Sequence, residues 1–354
     1  MKKTFLKKLT LGIFILAFLV AATVFLFDPF FHYHKPIGPL KAVLTQAEYQ
    51  VIGTLRTFDY DALISGSSMA ENYNNHDFDE AFGCTTIKAV KPAANTADLM
   101  YLLEIAFEEQ EISKIFYTLD ISALTSPRRE STYTEEGMPV YLYNKNPLDD
   151  VKYLFNKDIL FKEIPYMVAT SLLTDYDEGN SYNWAQYKDF SIMYYEPTKE
   201  KLAMQTVEKY KDNVDWNVDK LVKFVENHPE TEFFFLVPPY ASLWWYESEM
   251  KGETEANFYA LEQICNKLLL LDNVEIHYFQ HIEEIVSNLD LYMDLLHFHP
   301  DINTFILNSL KTDEYRMTAD NKETILKEMQ MLSEKCISVY AKEYFDSLEE
   351  EKDL

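Results

Sequence analysis

The sequence predicts an α/β fold: a five-stranded parallel sheet sandwiched by helices, with an aromatic-rich insertion and one N-terminal transmembrane helix. Five short apolar runs bounded by turn residues alternate with segments of helical period, which is the pattern of a parallel sheet. A lysine-rich N-terminus precedes a long uncharged run, and Tyr and Trp are frequent in the middle of the chain. The 354 residues are 47% hydrophobic, which supplies a packed core and excludes a disordered or low-complexity protein.

The predicted transmembrane helix occupies residues 9–27. This uncharged run is long enough to cross a bilayer, and Asp28 ends it. A cleaved signal peptide is the alternative, but its apolar core is usually shorter, and Ala-Ala-Thr at 21–23 is a poor cleavage site. The lysines before the run are Lys2, Lys3, Lys7 and Lys8. By the positive-inside rule they place the N-terminus in the cytoplasm and the rest of the chain outside.

We predict a discontinuous α/β domain that contains an insertion. The five strands are expected at 60–64, 85–90, 114–119, 232–237 and 274–279. The full division is a cytoplasmic basic tail at 1–8, a transmembrane helix at 9–27, a juxtamembrane segment at 28–54, the α/β domain at 55–124 and 198–348, an insertion or cap at 125–197, and an acidic tail at 349–354. The aromatic side chains of the insertion suit a partly wet cleft over the sheet; simple packing on the core is the alternative.

The net charge argues against a nucleic-acid partner, and the cysteine content argues against a disulfide or zinc scaffold. Lys and Arg total 32 against 58 Asp and Glu, and the resulting net charge of -26 repels a nucleic-acid backbone. The three cysteines, Cys84, Cys265 and Cys336, are far apart, which indicates neither a disulfide framework nor a zinc ribbon. We therefore expect no nucleic-acid partner and a fold that rests on hydrophobic burial.

A turn of small residues follows the first predicted strand. Ser65-Gly66-Ser67-Ser68 leaves the carboxyl end of that strand, which is where open parallel sheets bind ligands. Gly66 permits a tight turn there, and a serine in it would be exposed as a nucleophile. The alternative is that these serines only cap a helix or stabilise the turn.

Asp294 and His297 form a second candidate constellation, late in the chain. In a helical turn, positions i and i+3 share a face, so the Asp294 carboxylate could orient the His297 imidazole. A serine hydroxyl is a poor nucleophile unless such an oriented base removes its proton. A helix cap or a surface ion pair is the alternative.

Together these features resemble the SGNH/GDSL hydrolase superfamily over residues 55–315. That family has a flavodoxin-like α/β fold, a serine after the first strand and Asp-x-x-His before the C-terminal helix. The N-terminal apolar run, Asp-Pro-Phe-Phe-His-Tyr-His at 28–34, Gly-Ser-Ser-Met at 66–69 and Pro-Pro-Tyr at 238–240 further resemble membrane-anchored SGNH-like proteins of Gram-positive bacteria. A more distant similarity, to the D-alanyl transfer protein of teichoic-acid synthesis, points to polymers of the cell envelope.

The resemblance implies a catalytic triad. Ser68 matches the serine of the family's Gly-Asp-Ser motif, and Ser67 stands where the family has aspartate. His297 and Asp294 match the second and third members of the triad.

The resemblance also implies an oxyanion hole. In the family, the donors come from three blocks of sequence: the serine N–H, a glycine N–H and an asparagine side chain. Here the second block falls at residues 92–95, so the backbone donors would be the N–H groups of Ser68 and of Ala93 or Ala94. The third block falls at Asp120, where the family has asparagine. An ionised aspartate cannot donate, so Asp120 is protonated, serves another purpose, or leaves Asn95 to supply the missing donor.

The aromatic segment after the fourth predicted strand approaches the same edge of the sheet. Its rings could stack on sugars, and clamping the insertion onto the sheet is the alternative. The candidate substrate-binding residues are Ser67, Tyr240, Trp244 and Trp245.

The side chains with zinc-ligand chemistry are Asp294, His297, His299 and Asp301. Because the triad or a proline-bounded turn explains three of these four, we expect no metal and no cofactor.

We expect an extracytoplasmic serine enzyme of acyl transfer that acts on a cell-envelope glycan or polymer. With water as acceptor it would be an esterase; with a glycan hydroxyl it would be an O-acyltransferase, whose acyl donor could be a multi-pass membrane protein. The alternative is a catalytically inactive SGNH-like protein that binds or assembles cell-surface polysaccharide. Asp120 at an oxyanion position favours that alternative.

Overall fold

A computed structural model describes residues 2–135, 137–191 and 195–352 of the chain and shows a mixed α/β protein. The strands are β1 (Ala62–Gly66), β2 (Thr86–Val90), β3 (Lys114–Thr118), β4 (Glu232–Val237), β5 (Val274–Tyr278) and β6 (Arg316–Met317). The helices are α1 (Lys2–Phe27), α2 (Ala47–Thr57), α3 (Asn75–Phe82), α4 (Thr96–Glu109), α5 (Ile121–Thr125), α6 (Val140–Tyr143), α7 (Val151–Leu154), α8 (Ile164–Leu173), α9 (Val207–Glu226), α10 (Ser242–Met250), α11 (Thr254–Leu268), α12 (Glu283–Val286), α13 (Pro300–Thr312), α14 (Lys322–Lys335) and α15 (Ala341–Lys352). Two π-helical segments, Ile159–Glu163 and Cys336–Tyr340, directly precede α8 and α15.

The sheet has six strands in the order β2-β1-β3-β4-β5-β6, surrounded by helices. Strands β1 to β5 run parallel, as predicted. The predicted total of five is wrong, because β6 pairs antiparallel with β5 at the edge, with Arg316 opposite His277 and Met317 opposite Ile276. A two-residue edge strand contains no apolar run that a sequence pattern could reveal.

The chain forms two compact units. The first contains the residues up to 59 together with 132–182, and the second contains 60–131 together with 183 onward. The predicted insertion at 125–197 is therefore divided, because its middle belongs to the first unit and its two ends belong to the second. The predicted acidic tail continues α15 as far as Lys352, and its last two residues lie outside the described part of the chain.

The first unit contains α1, α2, α6, α7 and α8. By length and composition, α1 is the one helix in the described part of the chain that could span a membrane. Most of its side chains are exposed, and only Val24, near its end, is buried. The apolar N-terminal helix predicted from the sequence is therefore present, and it is longer than the uncharged run because the lysine-rich residues before that run are also helical.

The second unit contains the whole sheet. Every residue of β1 and β2 is buried, so neither strand shows an alternating pattern; the one charged side chain in them, Lys88, donates to Glu71 O (2.8 Å). The crossover from β2 to β3 is α4, whose N-cap is Asn95. This arrangement directs the loops after β1, β2 and β3 to one edge of the sheet.

Candidate active site

Three loops meet at the carboxyl edge of the sheet in the second unit. Strand β1 pairs with both β2 and β3, so the loops that follow these three strands leave side by side. A hydrogen bond from Lys91 N to Gly66 O (3.2 Å) joins the loops after β2 and β1. The Ser67 hydroxyl donates to Asp120 Oδ2 (3.2 Å), which joins the loops after β1 and β3. The three predicted sequence blocks are therefore neighbours.

Gly66 ends β1 in a conformation that favours glycine. Its φ is +153°, and a Cβ atom there would lie 2.9 Å from the Cβ atoms of both Ala70 and Thr118. Because β3 passes so close, a larger residue would displace the turn. Ser68 lies in this turn, half-buried, and its hydroxyl contacts His297 rather than the N-terminus of a helix.

Asp294 and His297 lie in a tight turn, not in the helical turn that their spacing suggested. Tyr292 and Phe298 form an antiparallel bridge on either side of the turn. Within it, Asp294 Oδ1 accepts hydrogen bonds from the backbone N–H groups of Leu296 (2.9 Å) and His297 (2.8 Å). Bonding of an aspartate to backbone a few residues ahead is typical of Asx turns. The turn fixes the carboxylate so that Oδ2 faces the imidazole.

Ser68, His297 and Asp294 form a continuous chain of hydrogen bonds. His297 Nδ1 lies 2.6 Å from Asp294 Oδ2, and Ser68 Oγ lies 2.8 Å from His297 Nε2. Because an ionised carboxylate only accepts, Nδ1 carries the proton and Nε2 accepts the serine hydroxyl. In this geometry the imidazole can remove the serine proton, and the carboxylate can stabilise the imidazolium that results.

Burial and hydrogen bonding act in opposite directions on Asp294. Burial is the largest single influence and raises the pKa of the carboxyl. The hydrogen bond and the charge of the His297 side chain, together with the backbone N–H groups of His297 and Leu296, lower it. Together the lowering contributions prevail, so the pKa of Asp294 lies below its ordinary value. The carboxylate is thus held in the ionised state that orients His297.

The loops around Ser68 also offer hydrogen-bond donors. Within the described residues, Ser68 N and Ala93 N donate to no acceptor of the protein. Ala93 has a φ of +51°, an uncommon and strained backbone conformation for alanine. Asn95 and Asp98 form the capping box of α4, in which Asn95 Oδ1 accepts from Asp98 N (3.0 Å). Because the cap uses Oδ1, the Nδ2 group is the end of Asn95 that can donate.

Asp120 is an acceptor of hydrogen bonds in this structure. Oδ1 accepts from the Tyr240 hydroxyl (2.7 Å) and from Ser122 N (3.2 Å) and Oγ (2.9 Å), and Oδ2 accepts from Ser67 Oγ. These contacts correct the oxyanion role predicted for Asp120, because all four partners are donors. They also correct the substrate-binding role predicted for Ser67, whose hydroxyl is buried and bonded to Asp120. Asp120 instead caps α5 and ties it to the turn of the serines.

Two of the three aromatic residues predicted to bind substrate lie in the core. Tyr240 is fully buried; its hydroxyl donates to Asp120 and accepts from Ile121 N (3.1 Å). Trp245 is fully buried and stacks on Phe258, with ring centroids 4.9 Å apart. A ring without an exposed face cannot stack on a sugar, so the prediction is corrected for both. Trp244 is half-buried, and its role in binding stays a prediction.

Trp184 is a site residue that the sequence analysis did not identify. Its Nε1 donates to Ser68 O (3.1 Å), and its ring meets the His297 ring edge-on at 5.0 Å between centroids. Phe190 stacks on Trp184 at 6.5 Å and contacts His299 at 4.9 Å. Trp184 therefore supports both the serine turn and one side of the histidine. No motif or spacing marks it in the sequence, because it comes from the far end of the aromatic insertion.

Another cluster of the second unit has the chemistry of a metal site. Glu275, His277 and Asp313 each offer a ligand atom, and these atoms lie within 4.8 Å of one another. Arg316 pairs with both carboxylates, at 3.3 Å from Glu275 and 3.2 Å from Asp313, and so already offsets part of their charge. Beside the triad, His299 caps α13 through its ring, which accounts for this histidine without a metal.

Comparisons with known proteins include a distant structural similarity. No protein-family model matches the chain, and no curated protein matches it. Among solved structures, it is similar to a protein of Streptococcus pneumonia described as a proposed platelet activating factor, with 12% identity and a TM-score of 0.37, covering 75% of this chain and 90% of that one. A similarity this weak assigns neither a family nor an activity, so function has to be argued from the site itself.

Proposed function

We propose that the chain is a membrane-anchored serine esterase or O-acyltransferase of the SGNH/GDSL type that acts on an ester of a cell-envelope glycan or polymer. The chain of hydrogen bonds from Ser68 through His297 to Asp294 is the observation that supports this proposal most strongly. Its place at the carboxyl edge of a parallel sheet, where such folds bind ligands, supports it further.

The proposed reaction has two steps. In the first, Ser68 Oγ attacks the ester carbonyl, its proton moves to His297 Nε2, and the leaving alcohol takes that proton as the tetrahedral intermediate collapses. In the second, His297 removes a proton from water or from a glycan hydroxyl, whose oxygen attacks the acyl-serine; His297 then returns that proton to Ser68 Oγ as the free acid or the new glycan ester is released. Donors to the oxyanion would be Ser68 N, Ala93 N and Asn95 Nδ2, and each is worth about 10²–10³-fold in rate.

The proposed location rests on α1 and the residues that follow it. Four lysines precede the apolar run, which favours a cytoplasmic N-terminus and an extracytoplasmic active site. An uncleaved helix is supported by the packing of α1 on α7 and on the π-helical segment before α8. A tether of this kind favours a polymer near the membrane as substrate. For the transferase, a multi-pass membrane protein is proposed as the acyl donor.

The proposal is tested by labelling the full chain, in detergent, with a fluorophosphonate, a reagent that reacts with activated serines. We expect labelling of the native chain and none of Ser68→Ala. Ser67→Ala is the matched control, because Ser67 lies in the same turn but bonds Asp120 instead of His297. It should be labelled at nearly the native rate.

Labelling that is equal in the native chain and in Ser68→Ala, or absent from both, would contradict the serine-enzyme proposal. The binding alternative predicts that result, together with affinity for cell-surface polysaccharide. Thermal unfolding of Ser68→Ala separates a lost nucleophile from a damaged fold. A serine that acted only as a cap would cost about 1 kcal/mol of stability when removed.

A further inference from the structure

The helical segment that ends in α8 is apolar on two sides. One side is buried in the first unit through Ile164, Met167, Thr170 and Ser171. The other side is exposed and carries Phe161, Pro165, Ala169, Leu172 and Leu173, which recur at three- and four-residue spacing. A helix of a soluble protein normally presents polar residues on its exposed side. Here the exposed side is apolar as well.

The exposed apolar side of α8 has no charged residue, and the charges of this region precede it. Phe161 and Leu173 are 74% and 81% exposed, and no charged residue occurs from 164 to 174. Leu148, Val151 and Phe155, around α7, are exposed too and extend the apolar side chains of the same unit. Exposed apolar surface of this kind marks a site of interaction with a partner or a membrane. We name residues 148–173 the apolar ledge; its charged residues all precede residue 164 and are Asp149, Asp150, Lys152, Lys157, Asp158, Lys162 and Glu163.

The apolar ledge is bonded to the exit of α1. The Tyr153 hydroxyl, in α7, donates to Asp28 Oδ1 (2.7 Å) and accepts from Phe30 N (3.2 Å). Tyr33 donates from its hydroxyl to Asp150 (3.1 Å). Helix α1 also packs directly on α7 and on the π-helical segment before α8. These contacts hold the ledge at the level where the apolar run of α1 ends.

We infer that the apolar ledge lies in the membrane interface, with Phe161, Leu172 and Leu173 inserted among the lipids beside α1. The occupant of the exposed surface is the bilayer that α1 enters, because the ledge is continuous with the end of that helix and its exposed side from residue 164 to 174 is uncharged. The first unit then holds the membrane in two ways, by a span and by an apolar surface. This inference rests on the membrane anchoring proposed above and not on the serine chemistry.

The test places an environment-sensitive fluorophore at single cysteines in the full chain, reconstituted in lipid nanodiscs. Three exposed leucines are replaced in turn: Leu173→Cys on the ledge, Leu16→Cys in α1 and Leu270→Cys in the second unit. Leu270 is 80% exposed, so it matches Leu173 in exposure. The background carries Cys84→Ser, because the other two native cysteines are buried. Nitroxide lipids and aqueous iodide serve as quenchers.

We expect the probe at 173 to show blue-shifted emission, loss of intensity with nitroxide lipids and protection from iodide. The probe at 270 should show the reverse, and the probe at 16 should be quenched by the lipids. Iodide quenching at 173 as strong as at 270 would overturn the inference. So would protection from both quenchers, which indicates a second copy or another protein on the ledge. A probe at 16 outside the lipid would instead refute the proposed anchor.

Discussion

Two turns of the molecule are built around an aspartate, one after α1 and one in the α/β unit. Asp28 accepts from the backbone N–H groups of residues 32–34 at 2.7–3.0 Å and from the Tyr153 hydroxyl. Asp294 accepts from two backbone N–H groups and from the His297 ring. Both turns use a carboxylate to fix a tight backbone. They differ in the side chain that bonds the carboxylate, which is a tyrosine for Asp28 and a histidine for Asp294.

The electrostatics of the two aspartates differ accordingly. Asp28 is fully buried, and burial raises its pKa although the hydrogen bonds from Tyr153 and from the backbone lower it. Asp294 has a partly exposed side chain, and the hydrogen bonds and charge of His297 bring its pKa below the ordinary value in spite of burial. A phenol partner fixes the fold, whereas an imidazole partner can gain a proton. The same turn chemistry therefore serves structure in one unit and, in the proposed function, catalysis in the other.

The largest effect should follow from Asp294→Asn. An amide at this position no longer specifies the His297 tautomer, so the rate of fluorophosphonate labelling should fall by about 10⁴-fold while the fold is retained. Asp301→Asn is the control, because Asp301 is exposed beside the site and should label at the native rate. Labelling of Asp294→Asn within about tenfold of the native rate would show that Asp294 does not orient a catalytic base.

Asp28→Asn should lower the stability of the fold and leave the labelling rate unchanged. Its amide group would face backbone N–H donors inside the protein, so the free energy of unfolding should fall by about 3 kcal/mol. The labelling rate per folded molecule should not change, because Asp28 belongs to the other unit. Denaturant unfolding in detergent measures the loss. A stability within about 0.5 kcal/mol of the native chain would remove the structural role assigned to this turn.

Tyr153→Phe tests whether Asp28 is charged, because it removes one hydrogen bond to the Asp28 carboxyl. A bond to a carboxylate is worth about 1.5–3 kcal/mol, whereas a bond between neutral groups is worth about 1 kcal/mol. Tyr143→Phe is the matched change, because the Tyr143 hydroxyl donates to the neutral backbone carbonyl of Glu48 (2.8 Å) in the same unit. We expect Tyr153→Phe to be the more destabilising in denaturant unfolding. Equal losses would indicate that Asp28 accepts this bond as a neutral group.

The smallest effect concerns the pH dependence of stability. The lowered pKa of Asp294 gives a contribution that is present above the ordinary value of 3.8 and is lost as pH falls through the folded value. The raised pKa of Asp28 gives a contribution that is present below 3.8 and is lost as pH rises through its folded value.

As pH rises, the stability gap between the native chain and Asp294→Asn should therefore widen, and the gap to Asp28→Asn should narrow. Unfolding free energies from about pH 3 to pH 7 measure both gaps. If both differences in unfolding free energy changed in the same direction with pH, the opposite pKa shifts assigned to Asp28 and Asp294 would be contradicted.

Much of the α/β unit could be predicted from the sequence because each signal is local. A buried parallel strand is a short apolar run, and the serine turn and the Asp-x-x-His segment are each contained within a few residues. Topology placed the serine turn at the ligand-binding edge of the sheet, and the resemblance to the SGNH/GDSL family implied that Asp294 and His297 join Ser68 there. The turn that holds Asp294 was mistaken for a helix because i, i+3 spacing fits both structures.

The remaining features depend on contacts between distant parts of the chain. β6 forms only because Arg316 and Met317 reach β5, and neither residue stands out in the sequence. Trp184 supports Ser68 from the aromatic insertion, where thirteen other aromatic residues gave no reason to choose it. Trp245 looked suited to sugar binding, and only packing against Phe258 shows that it is core.

The most direct test of the central claim is to find the atom that carries the acyl group. The full chain in detergent is incubated with p-nitrophenyl acetate, an activated ester, then quenched in acid and digested, and the acetylated residue is located by mass spectrometry. We expect Ser68 to be acetylated in the native chain and in Ser67→Ala, and not to be acetylated in His297→Ala. Acetylation of any other residue, or of none, would contradict a Ser68 nucleophile.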